Sequence, residues 1–159
     1  VTVFLAPPSL DELVRRLRTR GTETDAQFAR RIETAREELA ARHEFDVVVV
    51  NAAIAPETPI DGSDEQWDDG WERTMRVNVL EPASLVREAV RHFLEHGGGT
   101  LIALSSWAAQ RGSAIPQLTA YASSKAAIRT LTQTIARNHA RDGILAYVVA
   151  VWAMGGKPD

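Results

Sequence analysis

Four short runs of mostly apolar residues punctuate the chain: Val1–Leu5, Val47–Val50, Thr100–Leu104 and Ile144–Val151. Between them, apolar positions recur every three or four residues, the spacing of one helix face. Ser9 and Glu12 form a capping box ahead of Leu10, Leu13, Val14 and Leu17, and Gly21 ends that helix. Thr24 and Gln27 repeat the pattern ahead of Phe28, Ile32, Ala35 and Leu39. A Pro- and Gly-containing loop follows the second run, from Ala55 to Gly62. Ser63 and Gln66 cap a third helix carrying Trp67, Trp71 and Met75. Pro82 lies near a new helix start, and Leu85, Val86, Ala89, Val90, Phe93 and Leu94 carry its stripe to Gly97-Gly98-Gly99. Ser105 to Thr119 reads as polar and irregular, and a helix from about Ala120 to Ala140 carries Ile128, Leu131 and Ile135 before Gly143 ends it.

Apolar strands joined by helical crossovers predict an α/β fold, a three-layer Rossmann-like parallel sheet of about four strands with helices on both faces, truncated. Such sheets bind ligands at the carboxyl ends of their strands. Leu5, Asn51, Ser105 and Val151 therefore mark the rim where function is expected.

Composition narrows the choice of function. The chain has 159 residues, 45% of them hydrophobic and 25% charged, which predicts one soluble α/β domain over residues 1–159. With 18 basic and 21 acidic residues the formal charge is -3, which argues against nucleic acid or an anionic membrane as partner. No apolar run approaches the roughly 18 residues that span a bilayer. Together with the lack of a signal-like start, this leads to an expected cytoplasmic location. There is no cysteine, so disulfides and thiolate chemistry are excluded, and no metal site is expected.

Tyr121-Ala-Ser-Ser-Lys125 is the most informative string. Residues four apart share a helix face, which brings the lysine ammonium toward the tyrosine. A positive charge beside a phenol favours its ionised form, suiting it to exchange a proton with an alcohol or carbonyl. Ser105-Ser106 ends the preceding strand and offers hydroxyls for the same oxygen.

With these residues the chain resembles the short-chain dehydrogenase/reductase family over about residues 46–150. Asn51-Ala52-Ala53 loosely matches the family's strand-end Asn-Ala-Gly, with Val50 in place of its first Asn. Asn78, in Arg76-Val77-Asn78-Val79, matches the helix Asn. Ser106 matches the serine, with Ser105 as the alternative because the interval to Tyr121 is slightly long. Tyr121 and Lys125 match the acid/base pair. The resemblance implies hydride transfer between NAD(P) and a small alcohol or ketone. In that reading Tyr121 is the proton donor or acceptor. Lys125 favours its phenolate and binds the nicotinamide ribose. Ser106 orients the substrate oxygen, Asn78 supports a proton-relay water, and Asn51, Ala52 and Ala53 lie along the cofactor. Pairing of two copies through helices 82–95 and 120–140 is a further implication, giving a homo-oligomer.

The first third follows a different pattern. A family member opens with a Gly-rich turn that admits a diphosphate, but here the first strand runs into Ala6-Pro7-Pro8-Ser9. Proline has no N–H for phosphate, so cofactor binding is expected to be weak or lost. Residues 1–51 resemble the C-terminal part of guanylate kinase instead. The likeness rests on Phe4-Leu5-Ala6-Pro7-Pro8-Ser9, the run from Arg16 to Thr24, Arg30-Arg31, and Glu44-Phe45-Asp46 leading to Asn51. It implies that Arg16, Arg20 and Arg31 contact nucleotide phosphates and that Asn51 lies beside adenine. No G-x-x-x-x-G-K-[ST] phosphate loop occurs, so kinase activity is not expected. The two resemblances meet at Asp46–Asn51, and the chain reads as a chimera.

Overall fold

The structure, a computed structural model, describes residues 3–6, 14, 18, 29–30, 32–34 and 45–151. Pro7-Pro8, Arg16, Arg20, Arg31, the capping residues Ser9 and Thr24, and the tail from Trp152 lie outside the described residues.

The four apolar runs form strands β1 (Val3–Ala6), β2 (Val47–Val50), β3 (Gly99–Ser106) and β4 (Ile144–Val151). They assemble in the order β1-β2-β3-β4, and every neighbouring pair is parallel. The expected α/β, truncated Rossmann-like sheet is therefore the observed fold. β1 lies beside β2 with Ala6 level with Val50.

Between β2 and β3 lie α1 (Asp64–Met75) and α2 (Glu81–Glu95), joined by a π-helical turn over Arg76–Leu80. Ser63 caps α1 as its pattern predicts, its Oγ accepting from the Gln66 N–H at 3.2 Å. Pro82 lies near the start of α2, as expected. It sits in the first turn of α2, and the helix passes into it through the π turn, where the Glu81 N–H reaches back to the Arg76 carbonyl. Proline lacks the N–H that an α-helix would aim at residue 78. The chain absorbs that loss where its hydrogen-bond ladder already changes step.

A short helix α3 (Ala108–Arg111) interrupts the stretch expected to be irregular. The long helix α4 (Thr119–His139) then leads into β4 through a single 3₁₀ turn. No helix among the described residues is long and apolar enough to cross a membrane.

The core forms where α2 and α4 meet one face of the sheet. Val86, Ala89, Val90 and Phe93 of α2 and Ile128 of α4 pack with Val48, Val50, Leu101, Ala103 and Ile144. Leu94, expected on the α2 stripe, instead points to solvent at 46% exposure. Two glycines explain the approach to β3. A side chain at Gly99 would sit 2.2 Å from the Phe93 ring, and one at Gly98 would sit 2.5 Å from the Gly143 carbonyl. On β4 the cover is one-sided: Leu145, Tyr147, Val149 and Val151 are each about half exposed. β4 is the last strand of the described sheet, and the helix that precedes it covers only the alternate residues.

Candidate functional site

The carboxyl ends of β2 and β3 and the first turns of α4 converge at one rim. Asn51, exposed, and Ala52 and Ala53, half-buried, follow directly from β2. From there Ile54 meets Asn78, which the π turn carries inward to 2% exposure. The Asn78 side chain binds Ile54 as a neighbouring strand would. Its Oδ1 accepts from the Ile54 N–H at 2.8 Å, and its Nδ2 donates to the Ile54 carbonyl at 2.8 Å. The second Nδ2 hydrogen goes to Ser124 Oγ at 3.0 Å, and Ser124 Oγ donates to the Tyr121 carbonyl at 2.7 Å. Both Asn78 donors are thus in use, so its orientation is determined.

Because the net ties the loop after β2 to α4, Asn78→Ala deprives three groups of this partner, the Ile54 N–H and carbonyl and Ser124 Oγ, of which only Ser124 keeps another bond, to the Tyr121 carbonyl. At roughly 1–3 kcal/mol each, partly relieved by relaxation, about 3–5 kcal/mol of stability should be lost in urea denaturation. A loss under about 1 kcal/mol would show that the net is not what holds the loop.

Lys125 lies one turn beyond Tyr121 on α4 and is 6% exposed. Its Nζ donates to the Leu104 carbonyl at 2.9 Å and stands 5.8 Å from the Tyr121 ring centroid. The expected lysine–tyrosine proximity is therefore present, with the ammonium anchored on β3. Burial lowers the Lys125 pKa from its ordinary 10.5, because desolvation penalises the charged form. Between the lowered value and 10.5 the native state holds fewer protons here than the unfolded chain. Stability contributed by this group therefore rises with pH across that window. Urea denaturation of the parent and Lys125→Met should show their difference moving in the parent's favour as pH climbs to 10.5. A flat difference, or one of opposite slope, would contradict the buried charge.

The two serines at the end of β3 separate by the alternation of the strand. Ser105 faces α4, is 3% exposed, and donates its hydroxyl proton to the Lys125 carbonyl at 2.9 Å. Ser106 faces the other way and is half-buried; its Oγ accepts from the Ala108 N–H at 3.2 Å, which engages a lone pair and leaves the proton to donate elsewhere. Tyr121 is half-buried.

Sequence reasoning missed Ser124, the central link between Asn78 and Tyr121. The available signal was its place four residues before Ile128, a polar residue on the apolar stripe of the helix. Arg16, Arg20 and Arg31, the expected phosphate contacts, lie outside the described residues. No group of three or more His, Asp or Glu suitable for a metal ion occurs among the described residues.

The sequence model described as short chain dehydrogenase matches residues 10–155. Among solved structures, a gluconate 5-dehydrogenase from Burkholderia cenocepacia, solved with NADP and tartrate, is 30% identical with a TM-score of 0.62; the match covers 94% of this chain and 60% of that one. A gluconate 5-dehydrogenase from Beutenbergia cavernae, with NADP at low occupancy, is 32% identical with a TM-score of 0.62 over 73% of this chain and 45% of its own. A curated match of another kind is guanylate kinase from Nocardia farcinica, 71% identical over 52 residues, which are 33% of this chain and 27% of the kinase. The chain thus spans about a quarter of the kinases it matches and about half of the dehydrogenases. The kinase likeness is confined to about a third of the chain, consistent with the expected chimera.

Proposed function

Because this chain belongs to the short chain dehydrogenase family, we propose that it retains the family's proton-transfer face, for hydride exchange between a nicotinamide dinucleotide and an alcohol or ketone. The face stands on a single α/β domain over residues 1–159, in which the kinase-like segment 1–51 supplies the first strand. The observation that carries the reading is the buried net from Ile54 through Asn78 and Ser124 to Tyr121, beside a Lys125 anchored on β3.

The nicotinamide end of a dinucleotide fits these residues. Lys125 Nζ spends one N–H on Leu104 and keeps two for ribose hydroxyls. Asn51, Ala52 and Ala53 flank that space at the end of β2. The diphosphate end fits poorly, since β1 stops at Ala6 and Pro7 and Pro8 follow it. A bound nicotinamide supplies the site that takes or gives the hydride. In alcohol oxidation Tyr121 Oη takes the hydroxyl proton as the oxygen becomes a carbonyl; in reduction it returns the proton. Ser106 donates its hydroxyl proton to that same oxygen and holds it in place. Lys125 keeps positive charge near the phenol, and the Asn78–Ser124 pair holds the first turns of α4 still. Turnover of a panel of secondary alcohols by the intact chain, with NADP or NAD at millimolar concentration, tests the reading. Measurable oxidation is expected, and none with any alcohol or either cofactor would overturn it.

The 71% identity over 52 residues favours a second reading, a nucleotide-phosphate binder built on Arg16, Arg20 and Arg31. Guanidinium groups suit phosphate by bidentate bonding. Saturable ATP binding that Arg16→Ala with Arg20→Ala weakens would support it; no binding by the parent chain would remove it.

A further inference from the structure

The loop between β2 and α1 contains a residue that neither the sequence pattern nor the proposed chemistry uses. Thr58 is fully buried, and every polar atom it has is directed at the start of α4. Its N–H donates to the Gln117 carbonyl at 2.7 Å, and its carbonyl accepts from Thr119 Oγ1 at 3.0 Å. Its Oγ1 lies 2.7 Å from Thr119 Oγ1 and 3.2 Å from the Gln117 carbonyl, and accepts from the Ala120 N–H at 3.2 Å. The protons balance without conflict. Thr119 gives its hydroxyl proton to the Thr58 carbonyl, and Thr58 gives its own to Thr119 Oγ1 or the Gln117 carbonyl.

α4 has no capping side chain of its own, because Leu118 occupies the cap position. An exposed helix start can leave its first N–H groups to water, but Ala120 is fully buried. Thr58 supplies the missing acceptor from a loop 62 residues away. Its methyl group is held in turn by α1: a side chain at Gly70 would come within 2.5 Å of Thr58 Cγ2. Tyr121 is the next residue after Ala120.

We propose that Thr58 is the positioning residue for Tyr121, capping α4 from outside the helix and fixing its first turn to the loop that carries Asn51–Ala53 and Ile54. Its consequence for catalysis rests on the dehydrogenase reading; its placement of the helix start does not.

Amide hydrogen exchange on the intact chain separates the two. Thr58→Val keeps the shape and removes the hydroxyl. Thr58→Ser keeps the hydroxyl and removes the methyl. In Thr58→Val, exchange at Ala120 and Tyr121 should accelerate about tenfold to a hundredfold relative to the β3 amides of Leu101 and Ala103, the loss of about one hydrogen bond. Thr58→Ser should stay within a few-fold of the parent. Unchanged exchange at Ala120 in Thr58→Val, or equal acceleration in both variants, would overturn the proposal. If Thr58→Val fails to fold, Thr119→Val is read instead. It removes the hydroxyl that orients Thr58 and should speed Ala120 exchange several-fold, and no change there would likewise overturn it. With turnover at millimolar cofactor, Thr58→Val should lower kcat at unchanged alcohol KM, and Thr58→Ser should restore it. Accelerated exchange in a chain whose parent shows no turnover would reject the dehydrogenase reading while leaving the cap in place.

Discussion

Tyr121→Phe should lower alcohol turnover by about 10²–10⁴, the usual contribution of a positioned proton donor or acceptor, and leave the fold unchanged. The ring is half-buried, so Phe keeps its bulk and its face toward Lys125. The buried bond that Tyr121 makes to Ser124 uses the backbone carbonyl, which the substitution does not alter. A stability change within about 0.5 kcal/mol is therefore expected in urea denaturation. Turnover measured with millimolar NADP or NAD, alongside circular dichroism, reads both effects at once. A variant within threefold of the parent would take Tyr121 out of the proton-transfer step. A variant that fails to fold would contradict the placement of the hydroxyl outside the structural net.

The second large effect concerns cofactor affinity. A diphosphate held by backbone N–H groups gains about 1.5–3 kcal/mol per bond to the charged group. In the sequence Pro7 and Pro8 come directly after the first strand, the position at which members of the family carry a glycine turn with such donors, and neither has an N–H. Two missing donors amount to about 3–6 kcal/mol, or roughly 10²–10⁴ in Kd. Calorimetric titration with NADPH and with NADH should accordingly give dissociation constants in the millimolar range or weaker. A Kd below about 10 μM for either would show that another part of the chain grips the diphosphate.

Much of this architecture was legible in local patterns. The apolar runs named β2, β3 and β4 to within a residue or two, and Ser63 with Gln66 marked the start of α1. These features depend on neighbours a few residues apart, which is the range that periodicity and capping report. The pattern placed a helix start near Pro82, where α2 begins, but not the π turn that leads into it. Proline removes one donor, but whether a helix ends there depends on how the preceding turn disposes of its carbonyls, and here a π turn does so. The mostly apolar β4 gave little hint that one of its faces would be half exposed, since the Tyr147 hydroxyl is the single polar side-chain group that marks that face.

The candidate site divides in the same way. Tyr121 and Lys125 are four residues apart on one helix, so the sequence alone placed them together, as it named the strand-end serines and Asn78. Only the tertiary structure decided which serine keeps its proton. Ser105 and Lys125 are 20 residues apart, and their bond exists only because α4 packs on that face of β3. It likewise decided that Asn78 braces Ile54 across 24 residues and Ser124 across 46. A side chain's chemical type is written in the chain. The partner that consumes its donors or acceptors is set by packing between distant segments, because a buried polar group must find whatever partner the core brings within reach.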